Sequence, residues 1–367
     1  MSLYWNSRVK SLAPYIPGEQ PRDRKFIKLN TNENPYPPSP KVIEAIAKAA
    51  DERLRLYPDP ACTEFREAVA ARYGVAVEQV FAGNGSDEVL AFAFAAFFEC
   101  QGVSGAVPIL FPDITYSFYP VYARLWDVPF RTVSLKDNFS IDPDDYKQNN
   151  GGIIFPNPNA PTAKALALDA ITKLAGYEEK NGKALIVDEA YIAFADKPGI
   201  KSAVTLVKQF PNLLTVHTLS KAASLAGLRV GFAIGHKDLI EALCRVRDSV
   251  NSYTVDRLAL AGAAAAVSDF AYYDEVNRHV CSTREKVSAS LAQMGFTVIP
   301  SQANFVFASP PASSGKSGMQ VFSALREKGI LVRRFDKPRI NNYLRISMGT
   351  DDEMDTFLNG CAEIIRG

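Results

Sequence analysis

Ala184-Leu-Ile-Val-Asp188-Glu189-Ala190-Tyr191 and, further along, Thr215-Val-His-Thr218-Leu-Ser220-Lys221-Ala-Ala-Ser-Leu-Ala-Gly227-Leu-Arg229 decide the fold. The first opens as an apolar run and breaks into polar side chains; the second continues the strand begun by Leu213 and Leu214 and runs into a hydroxyl and a lysine. A short continuous apolar run fits a strand buried on both faces, as in a parallel sheet covered by helices. The polar residues at its end then stand at the carboxyl edge of the sheet, where open α/β folds bind ligands. Strands are expected at 107–111, 152–155, 184–187, 213–217 and 230–234, with longer helical patterns between them. That alternation predicts an α/β fold, a mostly parallel sheet flanked by helices.

Working outward, Ser39-Pro40 reads as an N-cap and first helical residue, opening a helix with Val42, Ile43, Ile46, Ala50 and Leu54 on one stripe. After Ser268 the pattern changes to a long helix ending near Met294, then short strands at 297–299, 304–307, 331–333 and 343–347. The expected division is an N-terminal arm (1–40), a large domain (41–268) and a smaller α+β domain (269–367). Pro14, Pro17, Pro21, Pro35, Pro37 and Pro38 keep the arm extended, draped over the site.

Composition removes several function classes. With 47% hydrophobic residues and a formal net charge of +1, the chain can bury a large core, and no Lys/Arg run marks a nucleic-acid or anionic-membrane surface. No apolar stretch approaches the ~20 residues of a membrane span. The first twenty residues lack the apolar core of a secretory signal, so the expected compartment is the cytoplasm. Cys62, Cys100, Cys244, Cys281 and Cys361 form no C-x-x-C pair and read as reduced packing residues. His217, His236 and His279 have no second ligand at metal-binding spacing, so no metal is expected.

The polar strand ends carry the chemistry. A lysine acts as a carbonyl-trapping amine where burial or neighbouring cations lower its pKa. Pyridoxal 5′-phosphate (PLP) asks for such an amine, an acid against the pyridine nitrogen, and anion-binding groups for the phosphate. Lys221, Asp188, Ser220 and Arg229 supply that set. In Gly83-Asn84-Gly85-Ser86-Asp87-Glu88, two glycines and a helix start offer free N–H groups to a phosphate, with Ser86 or Asp87 capping the helix. Phe155-Pro-Asn157-Pro-Asn159-Ala-Pro161-Thr162 brings amide side chains to the same edge, and Tyr116 follows another strand end, able to stack on a ring.

Together these segments resemble the fold-type I PLP-dependent aminotransferases, and among them the histidinol-phosphate aminotransferases. The resemblance runs from Leu12-Ala-Pro-Tyr15 through Leu29-Asn-Thr-Asn32-Glu33-Asn34-Pro35, Tyr57-Pro58-Asp59-Pro60 and the segments above to Leu344-Arg345-Ile-Ser-Met-Gly349-Thr350. It implies Lys221 as the Schiff-base lysine, Asp188 as partner of the pyridine nitrogen, Tyr191 on the ring hydroxyl and Tyr116 on the ring face. Gly85, Ser86, Asp87, Ser220 and Arg229 would surround the phosphate, joined by Tyr57 from a second subunit of a homodimer. Tyr15, Asn34, Arg333 and Arg345 would meet substrate.

The implied reaction converts L-histidinol phosphate and 2-oxoglutarate to imidazole-acetol phosphate and L-glutamate, a step of histidine biosynthesis. A threonine-phosphate decarboxylase or an aromatic or broad-specificity aminotransferase would share the cofactor residues. One departure stands out: the family reads Asn-Asn-Pro-Thr-Gly where this chain has Asn159-Ala160-Pro161-Thr162-Ala163. Either Asn159 takes over the ring-hydroxyl contact from one position earlier, the expected case, or that hydrogen bond is lost; Ala163 is expected to be costly only if its φ is positive.

Overall fold

The computed structural model describes residues 3–21 and 24–366. Its strands, in chain order, are β1 (Ile27–Lys28), β2 (Val80–Gly83), β3 (Ile109–Pro112), β4 (Phe130–Val133), β5 (Ile153–Pro156), β6 (Leu185–Asp188), β7 (Leu213–Thr218) and β8 (Gly231–Gly235). Then follow β9 (Thr297–Ile299), β10 (Phe305–Ser309), β11 (Ile330–Leu331), β12 (Arg333–Arg334) and β13 (Leu344–Ser347).

Strands β2 to β8 build a seven-stranded sheet in the order β2-β8-β7-β6-β5-β3-β4. β3 to β7 run parallel, and β8 and β2 join antiparallel at one edge. Alternation of side chains across the pleat gives this sheet two cores. Ile154, Ile186, Leu214 and Val216 pack with Val89, Leu90 and Phe94 of the helix Gly85–Phe97. Phe155, Leu185 and Val187 point the other way, toward Ile171 and Leu174 of the helix Leu168–Lys180 and Ala259 and Ala263 of the helix Arg257–Ser268. Each such Val, Leu, Ile or Phe side chain, taken out of water, contributes about 1.5–3 kcal/mol. The sheet is thereby a rigid floor whose carboxyl edge holds its polar residues in place.

Beyond the helix Phe270–Gln293, an antiparallel sheet forms in the order β12-β13-β10-β9. The N-terminal arm reaches it through the parallel pair β1–β11, and residues 12–21 run without helix or strand beside the cavity described below.

Some local expectations are corrected. β2 and β4 were not foreseen. Ser39 does cap the helix Pro40–Ala49, its Oγ accepting from Lys41 N, but only Val42 and Ile46 of the expected stripe face inward. Ile43 lies on the exposed side of the helix, and Leu54 is exposed because the helix stops at Ala49 and Leu54 falls in the following 3-10 turn. Cys100 is also exposed rather than packed.

Candidate active site

The chain's polar residues converge where β6 and β7 end. β6 delivers Asp188, β7 leads into Ser220 and Lys221, the helix Gly85–Phe97 presents its N-terminus, and β12 and β13 send in Arg333 and Arg345. One cavity takes in all of them, together with Tyr15, Ser86, Asp87, Tyr116, Tyr191 and Arg229.

At the floor, Asp188 is buried and accepts from Tyr119 Oη at 3.1 Å and Ala190 N at 3.3 Å. Burial pushes its carboxyl up to about 7, and no cation touches it among the described residues. A carboxyl so placed is suited to a ring N–H⁺. Lys221 Nζ donates to Thr31 O at 2.9 Å, and burial, reinforced by the Arg345 charge, lowers the lysine to about 8. A large fraction of that amine is neutral, and hence nucleophilic, near pH 8.

An anion cup lies alongside. Gly85, at φ +80°, opens the helix, and the first turn carries no side-chain cap. Ser86 and Asp87 therefore sit inside that turn rather than capping it. A Cβ on Gly85 would stand 2.6 Å from Arg229 Nη2, and one on Gly231 would stand 2.3 Å from Ser86 N. Only glycines let Arg229 and β8 close this tightly on the helix N–H groups. Arg229 itself has φ +57° and donates from Nη1 to Ser220 Oγ at 3.3 Å and from Nη2 to Asp87 Oδ2 at 3.3 Å. Tyr116 Oη donates to Asp87 Oδ1 at 2.7 Å. Amine, buried acid and glycine-walled cup together fit PLP.

Across the cavity, Arg333 and Arg345 are directly opposed in the β12–β13 pair. Among the described residues neither forms an ion pair with a carboxylate. Arg333 donates to Ile16 O and Pro17 O, Arg345 Nη2 donates to Asn30 O at 2.8 Å, and both guanidiniums lie near the Phe335 ring. Like charges opposed across strands repel, so such a pair at a cavity wall is suited to receive an anion. Tyr15 stacks on Phe118 at the rim, ring centroids 4.2 Å apart.

Four expected residues do not line the cavity: Gly85, at the start of the helix that presents Ser86 and Asp87 to it, and Asn159, Asn34 and Tyr57. Asn159 is buried, but its Nδ2 is spent on Ile114 O at 2.9 Å and Thr162 Oγ1 at 2.8 Å, turning the amide away. Its neighbour Ala160 lines the wall instead. Asn34 is engaged with Tyr36 N and Asn277 Oδ1. Tyr57 is 78% exposed and stacks on Tyr253, outside the cavity of its own chain. Ala163 has φ +61°, the strained case for a non-glycine residue. Sequence reasoning missed Tyr119 beneath Asp188 and Asn32, whose Nδ2 donates to Tyr191 Oη at 2.9 Å.

The family model for aminotransferase class I and II matches residues 24–360. Histidinol-phosphate aminotransferase of Clostridium acetobutylicum is 53% identical, with all of both chains aligned. Histidinol-phosphate aminotransferase 1 of Bordetella parapertussis is 52% identical over 99% of each chain. In three dimensions the chain resembles histidinol-phosphate aminotransferase from Sinorhizobium meliloti, solved in complex with pyridoxal-5′-phosphate. The TM-score is 0.88 at 24% identity, over 100% of this chain and 98% of that one, a likeness of fold.

Proposed function

The chain belongs to the class I and II aminotransferases, and from that premise we propose that it transfers the amino group of L-histidinol phosphate to 2-oxoglutarate, with PLP as cofactor. The observation that carries the substrate reading is the Arg333–Arg345 pair, two opposed and unneutralised cations on the wall facing Lys221. That pair can grip the phosphate of the donor in one half-reaction and a carboxylate of glutamate in the other.

When bound, PLP supplies a conjugated ring that accepts the electron pair released at the substrate carbon. Asp188, supported by Tyr119, keeps a proton at the ring nitrogen, which makes the ring a better acceptor. Arg229, Ser220 and the N–H groups of the turn from Gly85 hold the phosphate. Tyr116 would cover the ring face, and Tyr191 would hydrogen-bond the ring hydroxyl. Lys221 would hold the cofactor and, once displaced by the substrate amine, its own amine, neutral in a large fraction of molecules near pH 8, would serve as the base that accepts the proton from the substrate carbon. Tyr15 closes the cavity over the imidazole end of the donor.

We further assign residues 41–268 to a cofactor domain and 269–367, with the 1–40 arm, to a smaller domain that carries the arginine pair. Two copies associate so that Tyr57 of one completes the phosphate cup of the other; its exposed ring, outside its own cavity, supports that reading. Five free thiols suit the reducing cytoplasm, where histidine biosynthesis would employ the enzyme. Protein supplied with L-histidinol phosphate and 2-oxoglutarate should release L-glutamate; carbon dioxide from threonine phosphate would point to the decarboxylase instead.

A further inference from the structure

We propose that Asn32 is a positioning residue that aims the Tyr191 hydroxyl into the cavity. The inference rests on the PLP reading above and extends it to a residue outside the expected set.

Asn32 is buried and has φ +56°, a backbone conformation that costs a non-glycine residue stability and gathers at functional sites. Every polar atom of it is engaged. Its N donates to Ser347 Oγ at 2.8 Å, and its carbonyl accepts from Asn304 Nδ2 at 3.0 Å. Ser347 Oγ donates back to Asn32 Oδ1 at 2.8 Å. With Oδ1 fixed as the acceptor, the amide orientation is determined, and Nδ2 faces Tyr191 Oη at 2.9 Å. Tyr191 thus receives a hydrogen bond from behind, and its own proton must point elsewhere. The cavity is the open direction, because the ring is held edge-on against Phe305, centroids 5.1 Å apart.

Neither residue of the Asn159-Ala160 turn can substitute. Ala160 brings no polar side chain, and both N–H groups of the Asn159 amide are already bonded. A donated hydrogen bond also polarises the phenol and makes it a stronger donor in turn. Because Ser347 and Asn304 belong to the β13 and β10 side of the cavity and Tyr191 follows β6, this relay ties the two sheets together at the ring hydroxyl.

The test reads the pH at which the visible band of the PLP-loaded enzyme titrates. Charged and titratable groups near the Tyr191 phenol are Arg345, Asp188, Tyr15 and Lys221; none of them is altered in the variants. A donor to the ring oxygen stabilises the form that has lost its proton, so weakening the donor raises the midpoint. Tyr191→Phe should raise it by about one unit, and Asn32→Gly, which tolerates the positive φ, by about half a unit. In the Tyr191→Phe background Asn32→Gly should add nothing, since it acts through that hydroxyl. Ser347→Ala should shift the midpoint the same way and serves if Asn32→Gly does not fold. An unmoved midpoint in Asn32→Gly or Ser347→Ala, or an equal shift without the Tyr191 hydroxyl, overturns the proposal. Wild-type protein with no visible band after PLP loading would instead sink the PLP reading beneath it.

Discussion

Tyr119 holds Asp188 from beneath, its hydroxyl 3.1 Å from Oδ2, with both residues buried under the floor of the cavity. The tyrosine opens the helix Tyr119–Leu125 and reaches the acid through the core shared with Phe94 and Phe111. The acid is thus oriented by a neutral donor, and no cation touches it among the described residues.

Asp188→Ala should lower kcat by more than about 100-fold, the usual scale for a positioned proton-holding group. Tyr119→Phe, which removes one hydrogen bond worth about 1–1.5 kcal/mol, should cost only about 5–10-fold. Steady-state kinetics on both variants decide this; equal losses would mean that Tyr119 acts by more than orienting the acid.

Lys221 should capture PLP with a pH dependence set by its lowered pKa. The reactive form is the neutral amine, so the rate at which apoenzyme takes up the cofactor should climb with pH and level off above about 8. An ordinary lysine would keep climbing toward about 10.4. Stopped-flow absorbance between pH 6 and 10 reads the midpoint directly.

Gly231→Ala drives a methyl group into the backbone of the helix start, 2.3 Å from Ser86 N. The cup must open, and cofactor affinity should fall by more than about tenfold, roughly the loss of one charge-assisted contact. Gly227→Ala is the control: a Cβ there meets nothing within 4 Å, and PLP titration should match wild type.

Shared sites between two copies predict complementation. Mixing Tyr57→Phe with Lys221→Ala subunits, under conditions where subunits exchange, should restore activity above the sum of the parents. Each mixed pair would contain one site with both native residues. Activity equal to that sum would place Tyr57 outside the site.

The buried strands were legible because Leu185 to Val187 are apolar on both faces and Leu213, Leu214 and Val216 make the next strand largely so, a pattern that favours a covered parallel sheet. Asp188, Lys221 and Arg229 followed from where those strands stop. β4 was not legible, as Arg131 and Thr132 face solvent on an edge strand. Tyr119 and Asn32 were hidden because their partners lie 69 and 159 residues away, a closeness that only the fold creates. Asn159 was misplaced for a related reason: its amide direction is set by Ile114 O, 45 residues earlier, rather than by the proline turn around it.

The account stands most directly on kcat/KM for L-histidinol phosphate, followed as glutamate release with 2-oxoglutarate, in wild type, Arg333→Ala and Arg345→Ala. Each removed guanidinium should cost about 10- to 150-fold, the equivalent of roughly 1.5–3 kcal/mol of anion contact. Wild type should prefer histidinol phosphate over phenylalanine, and Arg345→Ala should impair 2-oxoglutarate as well. Unchanged kcat/KM in both variants, or a wild-type preference for phenylalanine, would contradict the assignment of the arginine pair to the substrate phosphate.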